Sequence, residues 1–303
     1  MEAVQIRNVT KTFGSVTAVD DLSLTVPEGS VYGFIGPNGS GKTTTMRMIT
    51  SIFYPDRGTV RVFGNEMLGA RSELIGYLPE ERGLYRKMAV RPLLQFYGEL
   101  RSGRKVSAEV DGWLERLDLA QWASQKVQTL SKGMSQKVQF IAAVVPEPKL
   151  LVLDEPFSGL DPVSAETIRS AVLALRRSGV TVILSTHDMS VAESMCDYIF
   201  MIFRGRKVLD GTLGSIQDRY GNDTIRVAAE GGLQFLQDLP GVEKVRDLGQ
   251  IQELRMANGC DPQQVLQTLI SRTRVSSFSI TKPSLHDIFV RIASPEAGEV
   301  QVA

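Results

Sequence analysis

The sequence predicts an α/β protein built on a phosphate-binding loop, with a helical insertion, followed by a small α+β domain of ferredoxin-like type. Three observations carry this. Residues 36–43 read GPNGSGKT, which fits G-x-x-x-x-G-K-[ST], between an apolar run at 31–35 and a helical run from Thr44. Residues 150–153 are wholly apolar and end in Asp154 and Glu155, as in a central parallel strand that delivers carboxylates to a sheet edge. From Gly221 the pattern restarts and reads βαββαβ.

Composition bounds the function. Of 303 residues, 43% are hydrophobic and 22% charged, as in a globular protein with ample core. Lys and Arg (34) balance Asp and Glu (34), so no net field steers the chain to nucleic acid, and no nucleic-acid partner is expected. Cys196 and Cys260 are far apart without metal-ligand spacing, and read as free thiols in a reducing cytoplasm. The N-terminus has no apolar core of signal-peptide length. No run approaches the roughly 18–20 apolar residues that span a bilayer, so the chain is not expected to cross one.

In chain order, residues 4–9 and 22–26 alternate as strands, and Pro27-Glu28-Gly29 turns into the strand before the phosphate loop. Phe13 beside Gly14 has two readings, a ring that stacks on a nucleotide base or an aromatic closing the end of a small sheet. In the loop, Gly36, Gly39 and Gly41 allow tight bends around Pro37, Asn38 and Ser40. Its amides and those leading to Thr44 converge on an anion at a helix N-terminus. Lys42 would reach the β- and γ-phosphates and the Thr43 hydroxyl would hold Mg²⁺.

Residues 59–64 read as a strand, and 75–78 as a strand running into a loop at Glu80 and Glu81. From about 88 to 146 the period becomes helical, with Leu93, Leu94, Phe96, Tyr97 and Leu100 marking one apolar face and Val110, Trp113, Leu114 and Leu117 a second. Ser131 is an N-cap, and its helix runs to about Val145, stopped by Pro146 and Pro148. The bare backbone at Gly133 would suit a second phosphate contact there. Asp154 suits Mg²⁺, and Glu155 a water-activating base. Residues 180–185 form another buried strand, which brings His187 to the same edge. The first domain then closes near residue 219. In the second, expected at 220–293, residues 233–239 read as a helix, 242–248 and 251–256 as a hairpin, 261–271 as a helix and 275–281 as a strand. Residues 294–303 read as a flexible tail.

Taken together, GPNGSGKT, LSKGMSQ, LLVLDEP, SGLD and STHD, in that order, resemble the nucleotide-binding domain of ABC transporters over about residues 2–219. The resemblance implies an ABC ATPase cassette with a mixed sheet core and an antiparallel β subdomain. It implies a head-to-tail homodimer or heterodimer of ATP-binding subunits, with two ATP molecules at the interface. Residues 36–44 of one copy would hold each ATP, and Ser131, Gly133 and Gln136 of the other would cap it. Asp161 would cross the interface, Phe13 would stack on adenine, Glu155 would act as general base, and His187 would contact the γ-phosphate. The family pattern usually has Gln where Glu80 stands. A carboxylate binds Mg²⁺ but cannot donate a hydrogen bond when ionised. The phrase LPEERGLY and the C-terminal extension resemble the type-two exporter branch, which moves drugs, sodium ions or polymers outward. That implies a separate integral membrane subunit as partner, and a peripheral position on the cytoplasmic face of the cell membrane. The alternative is a soluble ABC ATPase acting on ribosomes or DNA. Such proteins usually carry two cassettes, a long coiled coil or a basic surface. None of these is visible in the sequence.

Overall fold

Two long strands, β1 (Glu2–Phe13) and β2 (Val16–Pro27), form an antiparallel hairpin turned at Gly14. They are longer than the expected strands at 4–9 and 22–26, which are the segments where buried apolar residues recur, Val4, Ile6 and Val9 in one and Leu22, Leu24 and Val26 in the other. Toward the turn the ladder continues with side chains that are mostly part-buried or exposed, Val19 excepted, so no apolar alternation marks it. The structure is a computed structural model that describes residues 1–66, 72–81, 83–220, 224–230, 234–257 and 259–293.

β3 (Val31–Ile35) is buried along its whole length and leads through the phosphate loop into α1 (Lys42–Ile49). β4 (Arg57–Val62) and β5 (Asn65–Glu66) complete an antiparallel sheet in the order β2-β1-β4-β5. After β6 (Ile75–Leu78) come the three helices of the insertion, α2 (Val90–Ser102), α3 (Ser107–Arg116) and α4 (Lys132–Val144). They pack Leu93, Leu94, Trp113, Leu114 and Phe140 into one core with Leu151 and Leu153 of β7 (Leu150–Leu153). Then follow α5 (Pro162–Arg177), β8 (Thr181–Thr186), α6 (Met189–Met195), β9 (Tyr198–Phe203) and β10 (Arg206–Gly211). At seven residues, α6 is too short to show a helical period, and the Asp188 carboxylate caps its first turn.

These strands build a mixed sheet in the order β10-β9-β3-β8-β7-β6, parallel except for the β9–β10 pair. β3 lies beside β8, with Ile35 opposite Thr186, and β8 lies beside β7, with Leu184 opposite Leu153. The C-terminal ends of β3, β7 and β8 therefore open on one edge, where parallel sheets place ligands.

The chain divides into two units, Met1–Thr212 and Leu213–Ala303. The division falls ahead of residue 219, because α7 (Leu213–Tyr220) packs on α9 (Leu285–Ala293) and Gln217 donates to the Pro283 carbonyl at 3.0 Å. Between those helices come β11 (Thr224–Glu230), β12 (Val242–Asp247), β13 (Gln252–Met256), α8 (Pro262–Arg272) and β14 (Arg274–Thr281). The strands pair antiparallel in the order β12-β13-β11-β14, the arrangement a βαββαβ chain requires. The helix expected at 233–239 is a 3-10 turn over Gln234–Asp238, stopped by Pro240 and by Gly241 at φ 81°. The tail expected at 294–303 lies outside the described residues.

Candidate functional site

The phosphate loop is threaded so closely through its surroundings that side chains have no room at two positions. A Cβ on Gly36 would lie 2.2 Å from the Ile202 carbonyl oxygen, and one on Gly41, at φ 109°, 2.5 Å from that of Ala18. At Gly39, φ 77°, a Cβ would meet nothing within 4 Å, so the outer bend of the loop faces open space. Ala18, Asn38, Gly39, Ser40, Gly41, Lys42, Thr43, Thr44, Glu80 and Glu155 line one cavity of about 450 Å³.

Lys42 is 6% exposed, and its ammonium donates to the Gly36 and Pro37 carbonyls at 2.7 and 3.2 Å. Burial lowers its pKa, against the opposing pull of Glu155, Asp154 and Glu80. A cation held this way, with carboxylates near it, is set for an incoming polyphosphate.

The two acids after β7 are held differently. Asp154 is fully buried, and its Oδ1 accepts from the Ser185 hydroxyl at 2.6 Å. Its Oδ2 is buried without a hydrogen-bond partner among the described residues. An ionised oxygen left unpaired in the interior is costly unless a cation meets it. A divalent cation fits the oxygen set of Asp154, Thr43 and Glu80. Glu155 is 7% exposed and stands at φ 49°, in the left-handed region that non-glycine residues seldom occupy. Its N–H donates to the same Ser185 hydroxyl at 2.8 Å, and its Oε1 lies 3.0 Å from His187 Nδ1. Base candidate and histidine, expected to share an edge, are in hydrogen-bond contact.

The other expected residues lie apart from the cavity. Phe13 is 44% exposed, edge-on to Phe53 at 5.3 Å, with Lys11 Nζ 5.5 Å from its ring centroid. Ser131 caps α4 by accepting from Met134 N at 3.2 Å. A Cβ on Gly133 would touch Ser164 Oγ at 3.0 Å and Asp161 Oδ2 at 3.4 Å. Asp161 caps α5 by accepting from Ser164 N at 2.9 Å, which helps hold its carboxyl below the usual range. Ser131, Gly133 and Asp161 thus share one edge, and none of them lines the cavity. Gln136, expected to reach a nucleotide, does not face that edge. It is 4% exposed, and its amide donates to the Pro156 carbonyl at 3.3 Å. Its spacing from Ser131 on a helix turns it inward.

Ser185 is the functional candidate that the sequence does not announce. It reads there as the last residue of an apolar strand. Its one available signal is register, since Leu184 opposite Leu153 puts the next residue level with Asp154.

Two family models divide the chain much as its structure does. Residues 19–158 match the ABC transporter model, and 211–293 match the model for the C-terminal domain of DrrA1-3-like ATP-binding proteins. An ABC transporter ATP-binding protein of Bacillus subtilis (strain 168), YhaQ, is 40% identical over 287 residues, 94% of this chain and 96% of its own. The chain belongs to the ABC transporter ATP-binding proteins. As a member of that family it is an ATPase subunit. The Nod factor export ATP-binding protein I of Rhizobium sp. (strain N33) is 35% identical over 97% of this chain and 98% of its own. The solved ATP-binding subunit of an ABC transporter aligns with a TM-score of 0.68 and 27% identity, covering 72% of this chain and 93% of that one.

Proposed function

We propose that this ABC ATPase subunit powers an exporter by closing on ATP against a second cassette, the same chain or a homologue. The observation that carries the reading is the division of its motifs. The cavity at Asn38–Thr44 contains Glu80 and Glu155 but neither Ser131, Gly133 nor Asp161, which supports a site completed by a second subunit. The second half would come from the Ser131–Gly133 edge of the other subunit. Phe13, exposed at the end of β1, would stack on adenine.

Within the site, Lys42 and the loop amides bind and orient the β- and γ-phosphates. Asp154, Thr43 and Glu80 would hold Mg²⁺, which when bound neutralises charge on those phosphates. Glu155 removes the proton from the water that attacks the γ-phosphorus, as the bond to ADP breaks. His187 donates from Nδ1 to Glu155 Oε1, which fixes the orientation of the carboxylate. The products are ADP and phosphate, and the pair of subunits reopens.

Outward transport is supported by the Nod factor export relative and by the DrrA-like C-terminal match. Among the described residues no helix is long and apolar enough to cross a membrane. The relatives named as ATP-binding proteins support a transport path in a separate integral membrane subunit, with this chain peripheral on the cytoplasmic face. Glu155→Gln tests the chemistry. It is expected to keep ATP affinity, accumulate an ATP-bound dimer on gel filtration, and lose hydrolysis by about 10²–10⁴-fold. Turnover near the wild-type rate removes Glu155 from the role of base.

A further inference from the structure

Ser185 is fully buried at the end of β8, and it touches both acids that end β7. A hydroxyl has one proton to give and two lone pairs. Ser185 gives its proton to Asp154 Oδ1 at 2.6 Å and accepts the Glu155 N–H at 2.8 Å. The first bond is charge-assisted and fixes the rotation of the Asp154 carboxylate, leaving Oδ2 as the unpartnered oxygen. The second ties down the peptide that carries Glu155 at φ 49°, a backbone state that persists only where its surroundings impose it. The same strand continues to His187, whose Nδ1 meets Glu155 Oε1 at 3.0 Å. One small side chain thus orients the metal-facing carboxylate and the base together.

We infer that Ser185 is a positioning residue for hydrolysis, setting Asp154 Oδ2 toward the divalent cation and the Glu155 backbone toward the attacking water. This rests on the proposed roles of Asp154 and Glu155. It gives Ser185 no direct contact with nucleotide, so its removal separates metal response from nucleotide binding. A residue that merely fills the core would lower all of these in parallel, through stability.

The test uses the full-length chain and its Ser185→Ala, Ser185→Thr and Asp154→Asn variants. A fluorescent ATP analogue is titrated in EDTA and across a Mg²⁺ series, with kcat and melting temperature measured alongside. In Ser185→Ala, affinity in EDTA is expected to stay within about twofold of wild type. The Mg²⁺ concentration giving half of the binding enhancement should rise about tenfold, the scale of one lost hydrogen bond to a charged group. kcat should fall by more than tenfold, and Ser185→Thr, which keeps the hydroxyl, should restore both. Unchanged Mg²⁺ half-saturation and kcat in a folded Ser185→Ala overturns the inference, as does an equal loss with and without Mg²⁺. Should Ser185→Ala fail to fold, Ser185→Cys, close in size and a weaker donor, carries the same comparison. If Asp154→Asn keeps the full Mg²⁺ response, the metal role of Asp154 fails and takes the inference with it. If only Asp154→Asn loses that response, the role of Ser185 fails alone.

Discussion

The threading of the phosphate loop makes a sharp prediction when two of its glycines are compared. Gly39 and Gly41 both hold positive φ, at 77° and 109°, so alanine at either is strained by about 1–2 kcal/mol. Alanine also lowers the entropy of the unfolded chain, which returns about 0.4–1 kcal/mol in both cases. The variants differ in what the new methyl meets. At Gly39 nothing lies within 4 Å, whereas at Gly41 the Ala18 carbonyl oxygen lies at 2.5 Å and Ile202 Cδ1 at 3.1 Å. The first of those atoms is backbone of β2 and cannot swing away. Overpacking of this kind adds about 1–3 kcal/mol. Gly39→Ala should therefore cost about 1 kcal/mol and Gly41→Ala about 2–4 kcal/mol. For a unit the size of Met1–Thr212, these correspond to falls of about 2–4 °C and about 5–15 °C in melting temperature. Differential scanning calorimetry of the nucleotide-free chain reads the cassette transition directly. Ala18 also lines the cavity, so Gly41→Ala should weaken ATP binding. If Gly41→Ala melts within about 2 °C of Gly39→Ala, the loop yields to the methyl and the reasoning from close approach is wrong.

Two further substitutions test other parts of the molecule. Burial holds the Lys42 ammonium below its ordinary pKa of 10.5. Between that lowered value and 10.5 the unfolded chain binds a proton that the folded chain has released, so stability rises with pH across that window. Lys42→Met should remove this rise from urea midpoints measured along a pH series and should weaken ATP binding by more than about tenfold, the size of one charged hydrogen bond. Parallel pH curves for the two proteins would show that burial does not lower the ammonium. In the second unit, Asp287 accepts from Ser284 N at 3.2 Å and from the Ser284 hydroxyl, while its Oδ1 accepts from Arg246 at 2.9 Å. Its side chain is 11% exposed, so Asp287→Ala should destabilise the C-terminal unit by about 1.5–3 kcal/mol. A drop in its own calorimetric transition is expected, and an unmoved transition shows that this network is slack.

The parts of the fold and site legible in the sequence were those with a short local cause. Residues 36–43 need only glycines and one lysine in order, and the apolar run at Leu150–Leu153 announces a buried strand that ends in acids. The outer turns of β1 and β2 were not legible, since their ladder is made by backbone and leaves no apolar alternation. The division after Thr212 leaves no mark in the sequence, because α7 joins the second unit by contact with α9, some 70 residues later in the chain. Gln136 shows the same limit at the site. The motif LSKGMSQ places it near a nucleotide, but helical geometry turns its amide to the Pro156 carbonyl. Ser185 was invisible for the opposite reason, being an ordinary strand residue whose role comes from register with a neighbouring strand.

Those last two residues connect the separate parts of the proposed site. Ser185 joins β8 to the acids at the end of β7, and the Glu155 carboxylate meets His187. The residue after Glu155 is Pro156, whose carbonyl accepts from Gln136 in α4. α4 begins at the Ser131 cap, and Gly133 in its first turn packs against Ser164 and Asp161. A covalent step and one buried hydrogen bond therefore separate Glu155 from the helix that carries the edge proposed to meet a second subunit. Buried partners of this kind cannot part freely, because each would be left unpaired in the interior. In the proposed pairing, a change around Glu155 would shift what α4 and Asp161 present across the interface. The inward turn of Gln136 ties the first turns of α4 to the residue that follows Glu155.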